Sequence, residues 1–442
     1  MQYQAPKGVF DILPDENFET PSFQSSYLWN FVETVCRQVA SSYNFKEIRT
    51  PIFEQTEVFT RSSGETSDIV SKEMYTFQDK GERSLTLRPE GTASVSRALL
   101  ENQLLRKKST QKLFYMGPFF RYDRPQAGRY RQFHQFGAEV FGIKDPQLDA
   151  EMIAMILDIF SQLKLKNLTV LINTIGDSQS REHYKKALIE YLLPYKEKLS
   201  KDSQQRLEKN PLRILDSKDK EDQKIVQTAP SMSQFLSEAS RLHFETVCKT
   251  LKALEIPYVI SDQLVRGLDY YNETVFEIIM KKESAQNTIG AGGRYDGLLE
   301  KLGGSDTPCF GFAFGIERAL LMMIEQQVTK QSTDFPFIYF APLDEEAKLV
   351  CLKWMHGLRK QFIPCLTSKC NGFIRQVSLK TMLLLVKRHQ CLFATLSKCG
   401  KPLRASTTTL HLKKWTRNSV NSRSLGNNVK DWAICSQVPK GM

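Results

Sequence analysis

No run of eighteen apolar residues occurs in this 442-residue sequence, so no membrane-spanning helix is expected. The start, MQYQAPKGVFDILPDE, lacks a basic end followed by an apolar stretch, so no secretory leader is expected either. Nine cysteines are present, but they include no CxxC pair and their spacing is irregular. That argues against a zinc ribbon or a disulfide framework, and for reduced thiols in the cytoplasm. Acids are scarce at one end. From Cys365 to Met442 there are fourteen Lys and Arg against a single acid, Asp431, whereas the first 364 residues balance 47 basic against 48 acidic side chains. The net charge of +12 therefore belongs to the last 78 residues. A basic end of this kind is compatible with nucleic-acid contact. The apolar fraction of 41% and charged fraction of 25% fit a soluble globular chain with room for two or three domains.

What is there concentrates in Phe119–Phe141, FFRYDRPQAGRYRQFHQFGAEVF. Leu113–Phe120 reads as a strand, and Asp123–Gly128 as a loop punctuated by Pro and Gly. A second strand follows, in which Phe133, Gly137 and Val140 sit among polar residues. Arg121, Arg124, Arg129 and Arg131 fall within eleven residues, and four guanidinium groups are costly to bury without anions. Asp123 and Glu139 are too few to neutralise them. A bound polyphosphate fits the pattern, since the planar fork matches phosphate oxygens, and Phe133 or Phe136 offers a face for a base. A solvated hairpin with surface arginines fits the charge pattern as well.

The rest of the chain organises around this hairpin. Phe23–Ser41 has helical apolar spacing, and Phe45–Ile52 alternates like a strand whose Pro51 suits a sheet edge or a subunit boundary. Phe59–Met74 is polar and rich in Ser, and reads as a mobile loop. Tyr75–Phe77 and Leu85–Arg88 form a hairpin turning at Lys80-Gly81, and Thr92 can start a helix over Ala93–Leu104. Glu90 alone would be a first-turn acid favoured by the helix dipole. A helix over Ala150–Leu163 and a strand over Leu168–Ile175 follow. Residues 178–252 are then helical, charged and lysine-rich, which reads as an insertion between two halves of a sheet domain. Strands Tyr258–Ile260 and Thr274–Met280 flank the stretch RGLDYY, 266–271. Four glycines within 290–297 let backbone approach a ligand, but GAGGR does not have GxGxxG spacing. A glycine-spaced strand runs into a helix at Gly311–Leu320, where the helix N-terminus suits an anion. Residues 328–335 read as a linker, Phe337–Ala341 as a strand and Glu345–Arg359 as a helix.

Five segments, in order, resemble the class II aminoacyl-tRNA synthetases in the form carried by histidyl-tRNA synthetases: FKEIRTPI, FRYDRPQAGRYRQFHQFGAEVFG, RGLDYY, GAGGRYD and GFAFGIERAL. They correspond to motif 1 (near 43–54), motif 2 (113–141), two histidine-specific motifs and motif 3 (309–324). The resemblance implies an α/β (α+β) fold: an antiparallel sheet flanked by helices in a catalytic domain over 1–327, with a helical insertion over about 178–252 that helps clamp the tRNA acceptor stem. It also implies an α/β anticodon-binding domain over 336–442, a homodimer and a cytoplasmic enzyme. The implied activity is ATP-dependent attachment of L-histidine to tRNA(His) through a histidyl-adenylate, with Mg²⁺ arriving with ATP and no metal held by the protein. Carried over residue by residue, Arg121 and Arg266 hold the α-phosphate and act in catalysis. Asp123, Arg129, Phe133 and Arg318 join Arg121 at ATP. Glu90, Thr92, Gln135, Glu139 and Arg266 hold the amino acid, and Tyr271 and Tyr295 flank its imidazole. Gln126 touches the acceptor end of the tRNA. His134 receives no role.

After about residue 363 the resemblance stops, and the acids that normally cover helix surfaces are missing. The later strand with a glycine-acid turn that closes the family's domain is not found. Either the segment after Pro364 has diverged, or the reading frame shifts there; the loss of consistency across levels favours the shift. Two rivals remain. One is a non-charging paralogue acting as a regulatory subunit of histidine biosynthesis, against which the intact RGLDYY stands. The other is a basic nucleic-acid binder, which accounts for the tail and leaves the five segments unexplained.

Overall fold

The computed structural model describes residues 3–14, 22–64, 67, 69–280, 288–328, 337–342, 345–360, 365–367, 381–387, 390–395 and 406–408. The chain divides into two compact units, Met1–Lys330 and Gln331–Met442.

The first unit is built on an eight-stranded sheet. Its strand order is Lys46–Glu47, Gln111–Phe120, Gln132–Phe141, Cys309–Gly315, Thr288–Arg294, Asn272–Met280, Leu168–Thr174 and Tyr258–Ile260. All neighbours pair antiparallel except at the two edges, where Lys46–Glu47 and Tyr258–Ile260 run parallel to their partners. Alternation along each strand sorts side chains between two cores. Phe114, Phe136, Phe276, Phe310 and Phe314 enter one core, beneath helices Ser26–Ser42, Pro146–Gln162 and Ile316–Glu325. Leu113, Tyr115, Phe141 and Val275 enter the other, shared with helix Thr92–Glu101 and the insertion. Helix Pro146–Gln162 shows the local logic. Asp145 caps it by accepting from the Gln147 amide at 2.9 Å, proline occupies its first turn, and Ile153, Ile156 and Phe160 are wholly buried.

The hairpin strands, the helix over the 150s and the strands near 170, 258 and 274 lie where the patterns put them. Residues 178–253 form helices and short helical turns, with no strand between Thr174 and Tyr258. Two expectations change. Phe45–Ile52 is strand only at Lys46–Glu47, and the chain then moves to a separate three-stranded sheet at Phe53–Gln55. Phe59–Met74 is not an open loop: Thr56–Ser63 is a helix and Ile69–Glu73 a π-helical turn. Phe59 anchors that helix in the core, and the Ser62 hydroxyl donates to the Val58 carbonyl at 2.7 Å, so this serine is satisfied within its own helix.

In the second unit, Phe337–Pro342 runs parallel to Cys365–Thr367 and Thr381–Lys387, and two antiparallel strands, Gln390–Thr395 and Ser406–Thr408, extend the sheet. Strands therefore do follow Pro364, where no closing strand was found from the sequence. Helix Glu345–Arg359 belongs to the same unit. From residue 329 onward, the expected linker lies outside the described residues.

Candidate active site

The sheet's register builds the floor of a cleft of about 300 Å³. Gly311 pairs with Glu139, Ala313 with Gly137 and Gly315 with Gln135; Ala291 pairs with Ala313, and Tyr115 with Gly137. Phe310, Phe312 and Phe314 point to the opposite core, so the floor is left to small residues. Smallness is required: a Cβ on Gly311 would lie 1.6 Å from a Glu139 oxygen, and one on Gly137 or Gly91 would lie 2.2 Å from the Tyr115 ring.

Arginines from three elements line the cleft. Arg121 donates to the Pro89 carbonyl at 2.8 Å, and its guanidinium lies 5.3 Å from the Phe133 ring centre. Arg129 pairs with Asp123 at 3.0 Å. Arg318, in the first turn of helix Ile316–Glu325, donates to the Gly128 and Thr288 carbonyls at 3.1 and 2.7 Å. Burial, then the neighbouring Arg129 and Arg121 charges, push the Arg318 guanidinium below its ordinary range. Three cations held this close, against one carboxylate partner, ask for a multiply charged anion.

Carboxylates and phenols gather around the floor. Glu139 is buried and accepts from Tyr295 at 2.6 Å, Thr92 at 2.8 Å and Tyr115 at 3.3 Å. Burial pushes its carboxyl up to about 8, while the Tyr295 and Thr92 hydrogen bonds pull it down. Glu90 accepts from the Thr92 and Ala93 amides at 2.7 and 2.8 Å, capping helix Thr92–Glu101; burial nevertheless raises its carboxyl. Arg266 pairs with Glu277, and its guanidinium stands 5.8 Å from the Tyr271 ring centre. The Arg266 Nε is buried with no hydrogen-bond partner.

The sequence and structure were compared with known proteins. The family model described as histidyl-tRNA synthetase matches residues 29–319. The chain belongs to the histidyl-tRNA synthetase family. A histidine–tRNA ligase of Protochlamydia amoebophila is 53% identical over 364 residues, covering 82% of this chain and 85% of the relative. The crystal structure of apo S. aureus histidyl-tRNA synthetase superposes with a TM-score of 0.72 at 33% identity, covering 92% of this chain and 97% of that one. A Bacillus halodurans protein described as an ATP phosphoribosyltransferase regulatory subunit/histidyl-tRNA synthetase shares the fold, with a TM-score of 0.60 at 19% identity over 87% of this chain and 98% of that one.

Of the residues singled out on the family resemblance, Glu90, Thr92, Arg121, Asp123, Arg129, Phe133, Gln135, Arg266, Tyr271 and Arg318 line the cleft together. Glu139 and Tyr295 lie one layer beneath, buried and joined to it through Thr92 and Tyr115. Gln126 is exposed at the hairpin tip, where its backbone bridges Arg129. Phe136 is wholly buried among Phe114, Phe312 and Phe314, so it offers no face to a base. The four hairpin arginines are not alike: Arg131 lies over the Tyr122 ring at 4.1 Å, and Arg124 is exposed. Glu139 pairs with none of them. His134 accepts a structural place, its amide and ring both bonded to Glu317. Glu277 was missed, although an acid between Phe276 and Ile278 in an apolar strand was a usable signal. Tyr115 was missed too, and nothing local marks it.

Proposed function

We propose that this chain attaches histidine to tRNA(His) at the expense of ATP, through a histidyl-adenylate. One observation carries the reading: a single cleft brings Arg121, Arg129 and Arg318 together with Arg266, Glu90, Thr92 and Tyr271, with Glu139 bonded to Thr92 beneath it. In the first step a histidine carboxylate oxygen attacks the α-phosphorus of ATP and pyrophosphate leaves. In the second, a hydroxyl of the terminal tRNA ribose attacks the carbonyl carbon and AMP leaves. Neither step needs covalent help from the protein, so positioning and charge neutralisation carry the rate.

In this reading Arg121 and Arg266 take the α-phosphate, Arg266 also the histidine carboxylate, Arg129 and Arg318 the outer phosphates, and Phe133 the adenine. Asp123 orients Arg129. Glu90, Thr92, Gln135 and Glu139 fix the amino acid between Tyr271 and Tyr295, and buried polar partners of that kind discriminate strongly against side chains lacking theirs. Gln126 meets the acceptor end. Mg²⁺ comes with ATP: Glu90, Asp123 and Glu317 are committed to helix amides, Arg129 and His134, which leaves them poorly suited to a resident metal.

Residues 1–327 form the catalytic domain and 336–442 the tRNA-reading domain. The basic excess after Pro364, fourteen Lys and Arg against one acid, supports a change of character there. Ile52, Phe53 and Phe77 are exposed near motif 1, Ile52 just before strand Phe53–Gln55 and Phe77 on Tyr75–Gln78, the two strands that flank Ser84–Leu87, which supports a homodimer at that surface. Among the described residues no helix is long and apolar enough to cross a membrane, and the cytoplasm is the compartment where this substrate set meets. The regulatory-subunit alternative is less supported, because the RGLDYY loop is intact and lines the cleft.

Charging of tRNA(His) with labelled histidine tests the proposal. Charging supports it in full. Adenylate formation without charging restricts the activity to the first step, as a shifted frame after Pro364 predicts, and rereading the coding DNA in the other frames then locates the lost domain. Absence of both steps contradicts the proposal.

A further inference from the structure

The loop that carries Arg266 and Tyr271 is thin. Its Arg266, Leu268 and Tyr271 line the main cleft on one side and a second cavity of about 210 Å³ on the other. The far side of that second cavity is made by the helical insertion. Three insertion side chains reach across and tie the loop at three successive points. Arg213 Nη1 donates to the Gly267 carbonyl at 2.7 Å, Asn210 Nδ2 to the Asp269 carboxylate at 2.7 Å, and Arg181 Nη1 to the Tyr271 carbonyl at 2.7 Å. The ties fall at Gly267, Asp269 and Tyr271, directly after Arg266 and on either side of Leu268 and Tyr270, which line the main cleft.

The ties are built from the insertion's own scaffold. Arg181 sits in the first turn of helix Ser178–Leu192, which Asp177 caps by accepting from the Ser180 amide at 2.8 Å. Asn210 ends helix Lys201–Lys209, and Arg213 follows in the short turn Pro211–Ile214. Ile214, Leu188 and Tyr184 are buried in the core that also holds Tyr271 and Tyr295. Bonds from charged donors to carbonyls are the stronger class of protein hydrogen bond. With Gly267 tied directly after it and Glu277 paired to its guanidinium, Arg266 has a defined place over Tyr271, although its Nε meets no protein acceptor.

We infer that Arg181, Asn210 and Arg213 are positioning residues for histidine activation: the insertion sets the loop that presents Arg266 and Tyr271, and so forms the outer wall of the histidine site. This rests on the proposed function. It makes the insertion part of amino-acid binding, in addition to any contact with tRNA. Movement of the insertion on its flanking strands would reach Arg266 and Tyr271 directly through these three bonds.

The test uses the full chain and the variants Arg181→Met, Asn210→Ala, Arg213→Met and the conservative Arg213→Lys. Histidine-dependent ATP–pyrophosphate exchange gives KM for histidine and for ATP separately, and calorimetry gives the Kd for histidine and Tm. The expected result is a ~tenfold rise in KM and Kd for histidine in Arg181→Met, Asn210→Ala and Arg213→Met, a smaller rise in KM for ATP through Arg266, and partial recovery in Arg213→Lys. A lower Tm with unchanged histidine KM overturns the inference, because the ties would then merely fasten the insertion. A rise in KM for ATP with KM and Kd for histidine unchanged overturns it as well. If the unmodified chain binds histidine without exchange, the proposed function fails while the ratio of Kd values still decides this inference. A chain that neither binds nor exchanges overturns both.

Discussion

The Tyr295 phenol donates to the Glu139 carboxylate at 2.6 Å, directly beneath the point where Gly311 gives up its side chain. A carboxyl in this place is raised by burial to about 8 from an ordinary 4.5. Between those values the folded chain holds a proton that the unfolded chain has released. The Glu139 contribution to stability is therefore full below about pH 4.5 and is lost as pH rises toward 8. Glu139→Gln removes this dependence. Its Tm relative to the parent should climb from pH 5 to pH 8 and then level off, while its affinity for histidine falls ~tenfold. A pH-independent difference in Tm, read by scanning calorimetry, would count against a buried, proton-holding Glu139.

Gly311→Ala tests the floor. Its Cβ would lie 1.6 Å from Glu139 Oε2 and 2.9 Å from the Ala138 carbonyl, so strand or carboxylate must shift. Overpacking of this kind costs about 1–3 kcal/mol, visible in denaturant midpoints, and exchange activity should fall with it. Gly315→Ala places its Cβ 3.8 Å from Arg318, an ordinary contact, and should leave stability nearly unchanged. Equal effects of the two substitutions would refute the close-approach argument.

The arginine cluster should respond to phosphate. Arg318→Met is expected to cut exchange on the order of 100-fold, mostly through ATP, since it removes a preorganised cation at the polyphosphate. Pyrophosphate is expected to bind the folded cleft and to raise Tm in the parent more than in the variant. A thermal-shift titration reads this without any turnover, and identical shifts would remove Arg318 from the phosphate site.

How much of this was legible beforehand differs by residue. The hairpin was visible because alternation and a Gly/Pro loop are local signals, whereas Pro51, read as marking an edge strand, lies between Lys46–Glu47 and Phe53–Gln55 in neither strand. Glu90 shows the limit of both routes: the dipole argument and the family resemblance each point to it, and the structure has its two oxygens on helix amides beside the cleft. Glu139 and Tyr295 were reached only through the resemblance, since their pairing spans 156 residues. Thr56–Ser63 was hidden because serines that bond back to their own helix look like loop residues in composition. The ties from Arg181, Asn210 and Arg213 span 90, 59 and 54 residues, and no local pattern announces them.

The proposed dimer surface is tested by charge. Phe53 and Phe77 are 47% and 43% exposed with ring centres 6.4 Å apart, so Phe53→Asp combined with Phe77→Asp should leave the fold intact and shift the chain to monomer in sedimentation velocity. A double variant that sediments with the parent would move the subunit interface elsewhere.

Histidine-dependent ATP–pyrophosphate exchange by the unmodified chain tests the central claim most directly, because it reads the catalytic cleft without requiring tRNA or the residues after Pro364. The account predicts exchange with histidine and none with the other amino acids. No exchange with histidine, in a preparation that is folded and binds ATP, would contradict it.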